Sequence, residues 1–370
     1  MPTTRFGKQK LTKDELLCYH GSTLKCVDRR IVMEKMFHTP EGVRDIYNGE
    51  CEKKQYLQTK IRDIFHNYEY KDIETPTFEY FEVFSREVGT TPSNELYKFF
   101  DRDGNTLVLR PDFTPSIARA AATYFLDDDE PIRLCYQGNT FTNNSEYQGR
   151  LKEATQMGVE YIGDASVRAD AEMLIMTIAI LKEAGLQEFQ ISVGQVQFFK
   201  ALVSEAGMSE DTISDLRGLI SNKNYFGVEG LIAKADLQPE LAEVFLHLPQ
   251  MFGGVEMLDK ASGLTSNPEA LEAVARLKSI YDILCENKVE NYVSFDFGML
   301  SKYNYYTGII FNGVTYGSGE ALVKGGRYDS LMQHFGKQAP AIGFGLGIDA
   351  LLSALERQKI DVIMNRGGEQ

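Results

Sequence analysis

The chain has 370 residues, 43% of them hydrophobic and 25% charged, which is the balance of an ordinary folded protein and excludes a disordered, collagen-like or disulfide-scaffold chain. Its net charge is −14. Residues 1–35 hold eight basic and four acidic side chains, so the rest stands at −18 and gives a polyanion no general electrostatic help. The most apolar stretch, around Leu174–Leu181, falls far short of the ~20 residues that span a bilayer, and no apolar leader opens the chain. A cytoplasmic protein with no membrane contact is expected.

Residues 1–35 lack sustained periodicity and read as an N-terminal extension, either an upstream start or a loosely ordered segment, with a functional basic arm as the alternative. Leu57, Ile61, Ile64, Phe65 and Tyr68 then form the apolar stripe of an amphipathic helix. Asp72–Thr75 is an extended run stopped by Pro76. Leu96–Phe100 and Thr106–Leu109 flank Asp103-Gly104, the signature of a type I′ hairpin. Pro115 and Ser116 open a helix through Ala118, Ala121 and Tyr124. Ile132–Tyr136 and Gln156–Ile162 are strands joined by the polar loop Asn139–Gly149.

Val167, Ala171, Leu174, Ile178 and Leu181 mark a long helix that Gly185 should stop. Phe189–Val193 alternates as a strand. From Met208 to Asn287 helix follows helix, with breaks expected at Gly227, Gly253-Gly254 and Gly263. Strand patterns resume at Val293–Phe297 and Tyr305–Phe311, and the chain closes with Gly325-Gly326-Arg327-Tyr328, a short helix, the Ala341–Gly347 run and a helix at Ile348–Leu355. This order predicts an α+β fold, a mixed and mainly antiparallel sheet flanked by helices. Its core is 36–207 with 288–357, 208–287 is a helical insertion, and 358–370 is a tail.

The cysteines Cys18, Cys26, Cys51, Cys135 and Cys285 form no C-x-x-C and have no histidine at ligand spacing, so neither a metal site nor a disulfide framework is expected. Gly343-Phe344-Gly345-Leu346-Gly347, at a strand–helix junction, has G-x-G-x-G spacing and no βαβ unit after it. It reads as tight backbone packing of a strand onto the next helix rather than as a dinucleotide loop, and no cofactor is expected.

Four segments are distinctive together: Leu109-Arg110-Pro111-Asp112-Phe113-Thr114, Phe141 through Glu160, Tyr303-Asn304-Tyr305-Tyr306-Thr307-Gly308, and Gly325-Gly326-Arg327-Tyr328-Asp329. With the opening Thr39-Pro40-Glu41-Gly42-Val43-Arg44-Asp45 they resemble the catalytic core of class II histidyl-tRNA synthetases from about Met36 to Glu356. The resemblance places the family's histidine pocket on Asp112 (a shorter carboxylate than the family's glutamate), Thr114, Gln156, Glu160, Tyr305, Tyr306 and Tyr328. It places three phosphate-directed arginines on Thr142, Ser301 and Ala350, none of which carries charge. Losing one such preorganised donor costs ~2.7–4 kcal/mol of transition-state stabilisation, so no adenylation and no catalytic residues are expected. The chain ends about 14 residues past the match, which leaves no room for a tRNA-binding domain, and no tRNA is expected as partner.

A synthetase core with the amino-acid pocket kept and the phosphate chemistry gone is similar to the ATP phosphoribosyltransferase regulatory subunit family. That resemblance implies a non-catalytic protein that is itself a homodimer, activates the short catalytic subunit of the transferase, and carries feedback by histidine. The dimer expectation rests on Ile73-Glu74-Thr75-Pro76 and Phe78–Val83, which match the class II interface motif. The alternative is a synthetase-like paralogue with residual amino-acid activation or a tRNA-related role. Within the pocket, Gln156 and Glu160 should share one strand face, since the period is two, and Glu160 is expected to be ionised.

Overall fold

The computed structural model describes residues 37–84, 91–126, 128, 130–143, 151–235, 237–301 and 305–362. The N-terminal extension 1–35, Cys18 and Cys26, Tyr303 and Asn304, the Gly149 end of the polar loop and the last residues of the tail lie outside the described residues. The first amphipathic stripe becomes α1 (Asn48–Asn67), with Leu57, Ile61 and Phe65 buried against the core and Ile64 and Tyr68 half-buried beside them. After it come β1 (Lys71–Asp72), β2 (Phe78–Tyr80), β3 (Lys98–Phe100), β4 (Thr106–Leu109) and α2 (Thr114–Tyr124). The long antiparallel pair β5 (Ile132–Phe141) and β6 (Glu153–Ile162) is next.

Helix α3 (Val167–Glu183) starts where the Ser166 hydroxyl accepts from the Ala169 N–H at 3.2 Å. It stops at Gly185, whose φ of +98° lets the Leu186 N–H return to the Leu181 carbonyl at 3.1 Å. Strand β7 (Phe189–Gln195) then leads to α4 (Val196–Ala206) and a helical block of α5 (Glu210–Ser221), α6 (Tyr225–Ile232), α7 (Pro239–His247), α8 (Glu256–Leu264) and α9 (Pro268–Glu286). Strand β8 (Phe252–Gly253) lies within that block, and β9 (Val293–Asp296), β10 (Ile309–Thr315), β11 (Val323–Arg327), β12 (Ala341–Gly347) and α10 (Ile348–Arg357) complete the chain.

Nine strands form one mixed sheet in the order β1-β5-β6-β12-β11-β10-β7-β9-β8, with β1–β5 and β7–β9 parallel and the other pairs antiparallel. The expected α+β class holds. Met157, Val159 and Tyr161 of β6 face the layer built by α1 and α3, while Ile162 and the β5 residues Leu134 and Tyr136 face the side on which α2 packs. A second sheet, β2-β4-β3, buries Val108 against Val83, Phe84 and Leu96 and turns Phe78, Tyr80 and Phe99 to the opposite face. The helical block packs α9 against α3 and α4 and returns β8 to the sheet edge beside β9. No described helix is long and apolar enough to cross a membrane.

Several local expectations need correction. The hairpin forms, but Phe100 pairs with Thr106, so its loop spans five residues instead of a two-residue type I′ turn. The Asp101 carboxylate accepts from the Asp103 and Asn105 N–H groups, both at 2.9 Å, and only Gly104 takes a positive φ. Gly227 and Gly263 lie inside α6 and α8; the break before α6 falls at Asn222–Asn224, where Lys223 takes φ +55°. Tyr305 and Tyr306 precede β10 and are not part of it.

One buried charge network ties the block to the sheet. Asp170 of α3, 0% exposed, accepts from Arg327 Nε at 2.8 Å and from Arg276 Nε of α9 at 2.6 Å. Removing one member of a buried pair strands the other charge. Asp170→Ala should therefore lower unfolding free energy by ~3–5 kcal/mol in urea denaturation, with Asp170→Asn losing less because it keeps an acceptor.

Candidate functional site

Five of the seven residues assigned to the pocket meet directly around one carboxyl group or one aromatic cluster. Thr114 opens α2 and donates through Oγ1 to Glu160 Oε1 at 2.6 Å. The Tyr328 hydroxyl, just past β11, donates to Glu160 Oε2. Tyr305 lies 4.4 Å from Tyr306 and 6.0 Å from Tyr328 between ring centres. Gln156, four residues before Glu160 on β6, shares its face as expected. Asp112 is the seventh; its carboxylate caps the Phe113 N–H at 2.7 Å and lies close enough to repel charge on Glu160.

Glu160 is 1% exposed, and its burial shapes the strand beside it. Gly343 of β12 stands opposite Glu160 in register. A Cβ at Gly343 would lie 1.9 Å from Glu160 Oε2, and one at Gly345 1.9 Å from Gln156 Nε2. Both side chains therefore lie along the sheet over a floor of bare backbone. The G-x-G-x-G segment is not a strand-to-helix contact as expected; it is an interior strand, paired throughout with β6 and β11, whose glycines make room for Glu160 and Gln156. Gly326 does the same for Tyr306, since a Cβ there would come within 2.7 Å of its ring.

The expectation of an ionised Glu160 concerns the carboxyl facing a cationic ligand; within the chain alone its proton is held more tightly than in water. Burial pushes the carboxyl up to about 8, opposed by the Thr114 and Tyr328 hydrogen bonds and helped by the Asp112 charge. The carboxyl therefore holds its proton well above the usual carboxylate range.

Sequence reading missed Tyr136. It lies on β5, its ring stacks on Phe113 at 4.4 Å and 17°, and its hydroxyl accepts from Gln156 Nε2 at 3.2 Å. Leu134, at the same strand parity and likewise buried, was the available signal that Tyr136 points to this side. Arg110 was quoted as part of a motif but given no role. Its guanidinium donates to the carbonyls of Thr75 and Asn139, both at 2.8 Å, and lies 4.1 Å over the Phe113 ring. Thr142, Ser301 and Ala350 occupy the end of β5, the segment after β9 and the first turn of α10.

Among the described residues, His66, Asp72 and Cys135 bring donor atoms of metal-ligand type within 4.8 Å of one another, although the sequence spacing suggested none. The Asp72 carboxylate is already forked by Arg62 at 2.9 and 2.7 Å, and burial pushes the Cys135 thiol up to about 12. An ion-pair cluster accounts for this geometry.

The sequence model of histidyl-tRNA synthetase matches residues 42–351. A protein of Acetivibrio thermocellus named ATP phosphoribosyltransferase regulatory subunit is 43% identical over 328 residues, covering 89% of this chain and 78% of its own. One of the same name from Clostridium acetobutylicum is 40% identical over 321 residues, covering 86% and 79%. The crystal structure of an ATP phosphoribosyltransferase regulatory subunit/histidyl-tRNA synthetase from Bacillus halodurans C superposes with a TM-score of 0.81 at 36% identity, covering 86% of this chain and 83% of that one. Histidyl-tRNA synthetase from Nostoc sp. PCC 7120, at 22% identity and a TM-score of 0.73 over 88% and 76% of the chains, shares the fold.

The Glu160 shift has a definite sign for stability. Its folded value of about 8 lies above the ordinary 4.5, so the folded state binds the proton more tightly. The resulting stabilisation is complete below 4.5 and is lost as pH rises through 8. Urea titrations across that window should show a fall in unfolding free energy of about 1.4 kcal/mol per pH unit that is absent in Glu160→Gln. Identical pH profiles for the two proteins would contradict the shift.

Proposed function

The chain belongs to the family of ATP phosphoribosyltransferase regulatory subunits, and from that premise we propose that it activates a short catalytic subunit of the transferase in the cytoplasm and lets histidine inhibit it. It forms no adenylate and has no catalytic residues of its own. The observation that carries the ligand assignment is the convergence of Thr114, Glu160, Tyr305, Tyr306 and Tyr328, with Gln156 and Asp112 beside them. Carboxyl and amide oxygens suit an ammonium and an imidazole N–H, and tyrosines supply flat apolar walls with polar tips. Residues 36–207 with 288–357 form the ligand-binding core and 208–287 the inserted block.

The subunit is a homodimer in this reading. The outward face of the β2-β4-β3 sheet exposes Phe78 at 51%, Tyr80 at 55% and Phe99 at 37%, with the Phe78 and Phe99 rings 5.7 Å apart. That face carries the Phe78–Val83 segment of the class II interface motif. An exposed cluster of three aromatic rings is what a second copy would cover.

Four measurements test these statements. Purified chain should give no histidine-dependent ATP–pyrophosphate exchange, and clear exchange would overturn the regulatory reading in favour of a working synthetase paralogue. Light scattering at micromolar concentration should give a dimer, which Phe78→Glu shifts toward monomer. Histidine binding to wild type should release a proton, because a cationic ligand favours the ionised carboxylate, so affinity should rise with pH toward about 8. Glu160→Gln should weaken histidine roughly ten- to a hundredfold while leaving assembly with the catalytic subunit intact. Unchanged calorimetric affinity in that variant would move the sensor site elsewhere.

A further inference from the structure

We infer that Tyr136 is a positioning residue for ligand selectivity: its hydroxyl fixes the Gln156 side-chain amide so that the amide oxygen, and not its NH₂ group, is presented to the ligand's ammonium. The inference rests on the histidine-pocket reading above and specifies how that pocket tells an amino acid from its deaminated analogue.

The geometry runs from backbone to amide. Tyr136 is buried in the middle of β5, with its ring held flat against Phe113 at 4.4 Å. Phe113 is in turn covered by the Arg110 guanidinium at 4.1 Å, which is anchored on the Thr75, Pro76 and Asn139 carbonyls. The stack is fitted closely: a Cβ at Gly138 would lie 2.6 Å from Arg110 Nη2 and 2.9 Å from Phe113 Cζ. The hydroxyl has as little freedom, since a Cβ would lie 2.4 Å from it at Gly158 and 3.2 Å at Gly345. Three aromatic or planar groups and three glycines thus hold one oxygen in place.

That oxygen accepts from Gln156 Nε2 at 3.2 Å. A glutamine amide has a donor end and an acceptor end of nearly equal shape, and a pocket can use either. With the NH₂ end engaged by Tyr136, the end left for a ligand is the acceptor. The ligand group that fits it is an N–H donor, and an ammonium between this oxygen and the carboxyls of Asp112 and Glu160 is favoured over a neutral methylene. The Tyr136 phenol lies within electrostatic reach of both carboxyls and of Tyr306, which places it at the same site.

The test compares histidine with imidazolepropionate, which keeps the ring and carboxylate and lacks the α-ammonium. Calorimetry on full-length protein should show Tyr136→Phe binding histidine roughly tenfold more weakly, with imidazolepropionate nearly unaffected, so that discrimination collapses. Gln156→Met, which keeps the volume and removes the amide, should give the same loss, and the double variant should lose nothing further. Equal weakening of both ligands, or unchanged discrimination in Gln156→Met, would overturn the inference by reducing Tyr136 to a packing residue. Tyr136→Phe indistinguishable from wild type would also overturn it. Wild-type protein that fails to bind histidine would sink the pocket reading itself, an outcome readable before any variant is made.

Discussion

A carboxyl group 1% exposed in the middle of a nine-stranded sheet is the constraint from which the pocket follows. Burying such a group is costly unless its oxygens are hydrogen-bonded and its charge is matched or removed. Here Thr114 and Tyr328 each donate to one oxygen, and the charge is removed by a proton. Satisfying Glu160 dictates what stands near it. Helix α2 must begin at Thr114, β11 must end so that Tyr328 turns inward, and β12 can carry no side chain at Gly343, where a Cβ would sit 1.9 Å from the carboxylate oxygen. Residues separated by nearly two hundred positions in sequence are specified by one functional group.

The opposite face of the same strands is held by charges that stay paired. Arg327 and Tyr328 are neighbours in sequence, yet the first reaches Asp170 of α3 and the second reaches Glu160. Arg327 also bonds Asp329 at 3.0 Å, and Asp329 accepts from the Thr307 hydroxyl at 3.0 Å, one residue after Tyr306. Both tyrosine-bearing segments are therefore pinned from behind the sheet. Because Arg276 of α9 shares Asp170, the helical block touches the anchor of the pocket wall without touching the pocket. Any displacement of α9 against α3 must break or carry along a buried ion pair, an expensive choice that favours rigid-body coupling over local give.

The elements were legible where local physics decides them. The stripe of α1, the Gly185 stop of α3 and the alternation in β7 all follow from periodicity and end signals, and the residues assigned to the pocket come from the motif resemblance. Tertiary context decided the rest. Asp103-Gly104 carries the local preference for a two-residue turn, but the Asp101 side chain captures two backbone N–H groups and stabilises a five-residue loop. The glycines of β12 look like a loop or a packing motif because sequence does not reveal which side chain lies across a neighbouring strand. Glu160 was read as charged for the same reason: its type was visible, and its burial was not. Tyr136 is missed where the family motif is silent, since its role depends on pairing with Gln156 across the β5–β6 ladder, twenty residues along the chain.

The protonated carboxyl also bears on what the site can do. Thr114 and Tyr328 each donate to one Glu160 oxygen, so both acceptor atoms of this buried carboxyl have partners within the chain. A ligand that pairs with Glu160 must remove a proton and reorient two donors, and its net affinity is lowered by that cost. Tyr328 is also joined through its neighbour Arg327 to Asp170 on the far side of the sheet. A ligand shifts an equilibrium only by as much as it binds two states differently. Exchange of the Glu160 proton for a cation would be such a difference, set against the cost of removing that proton from a buried carboxyl.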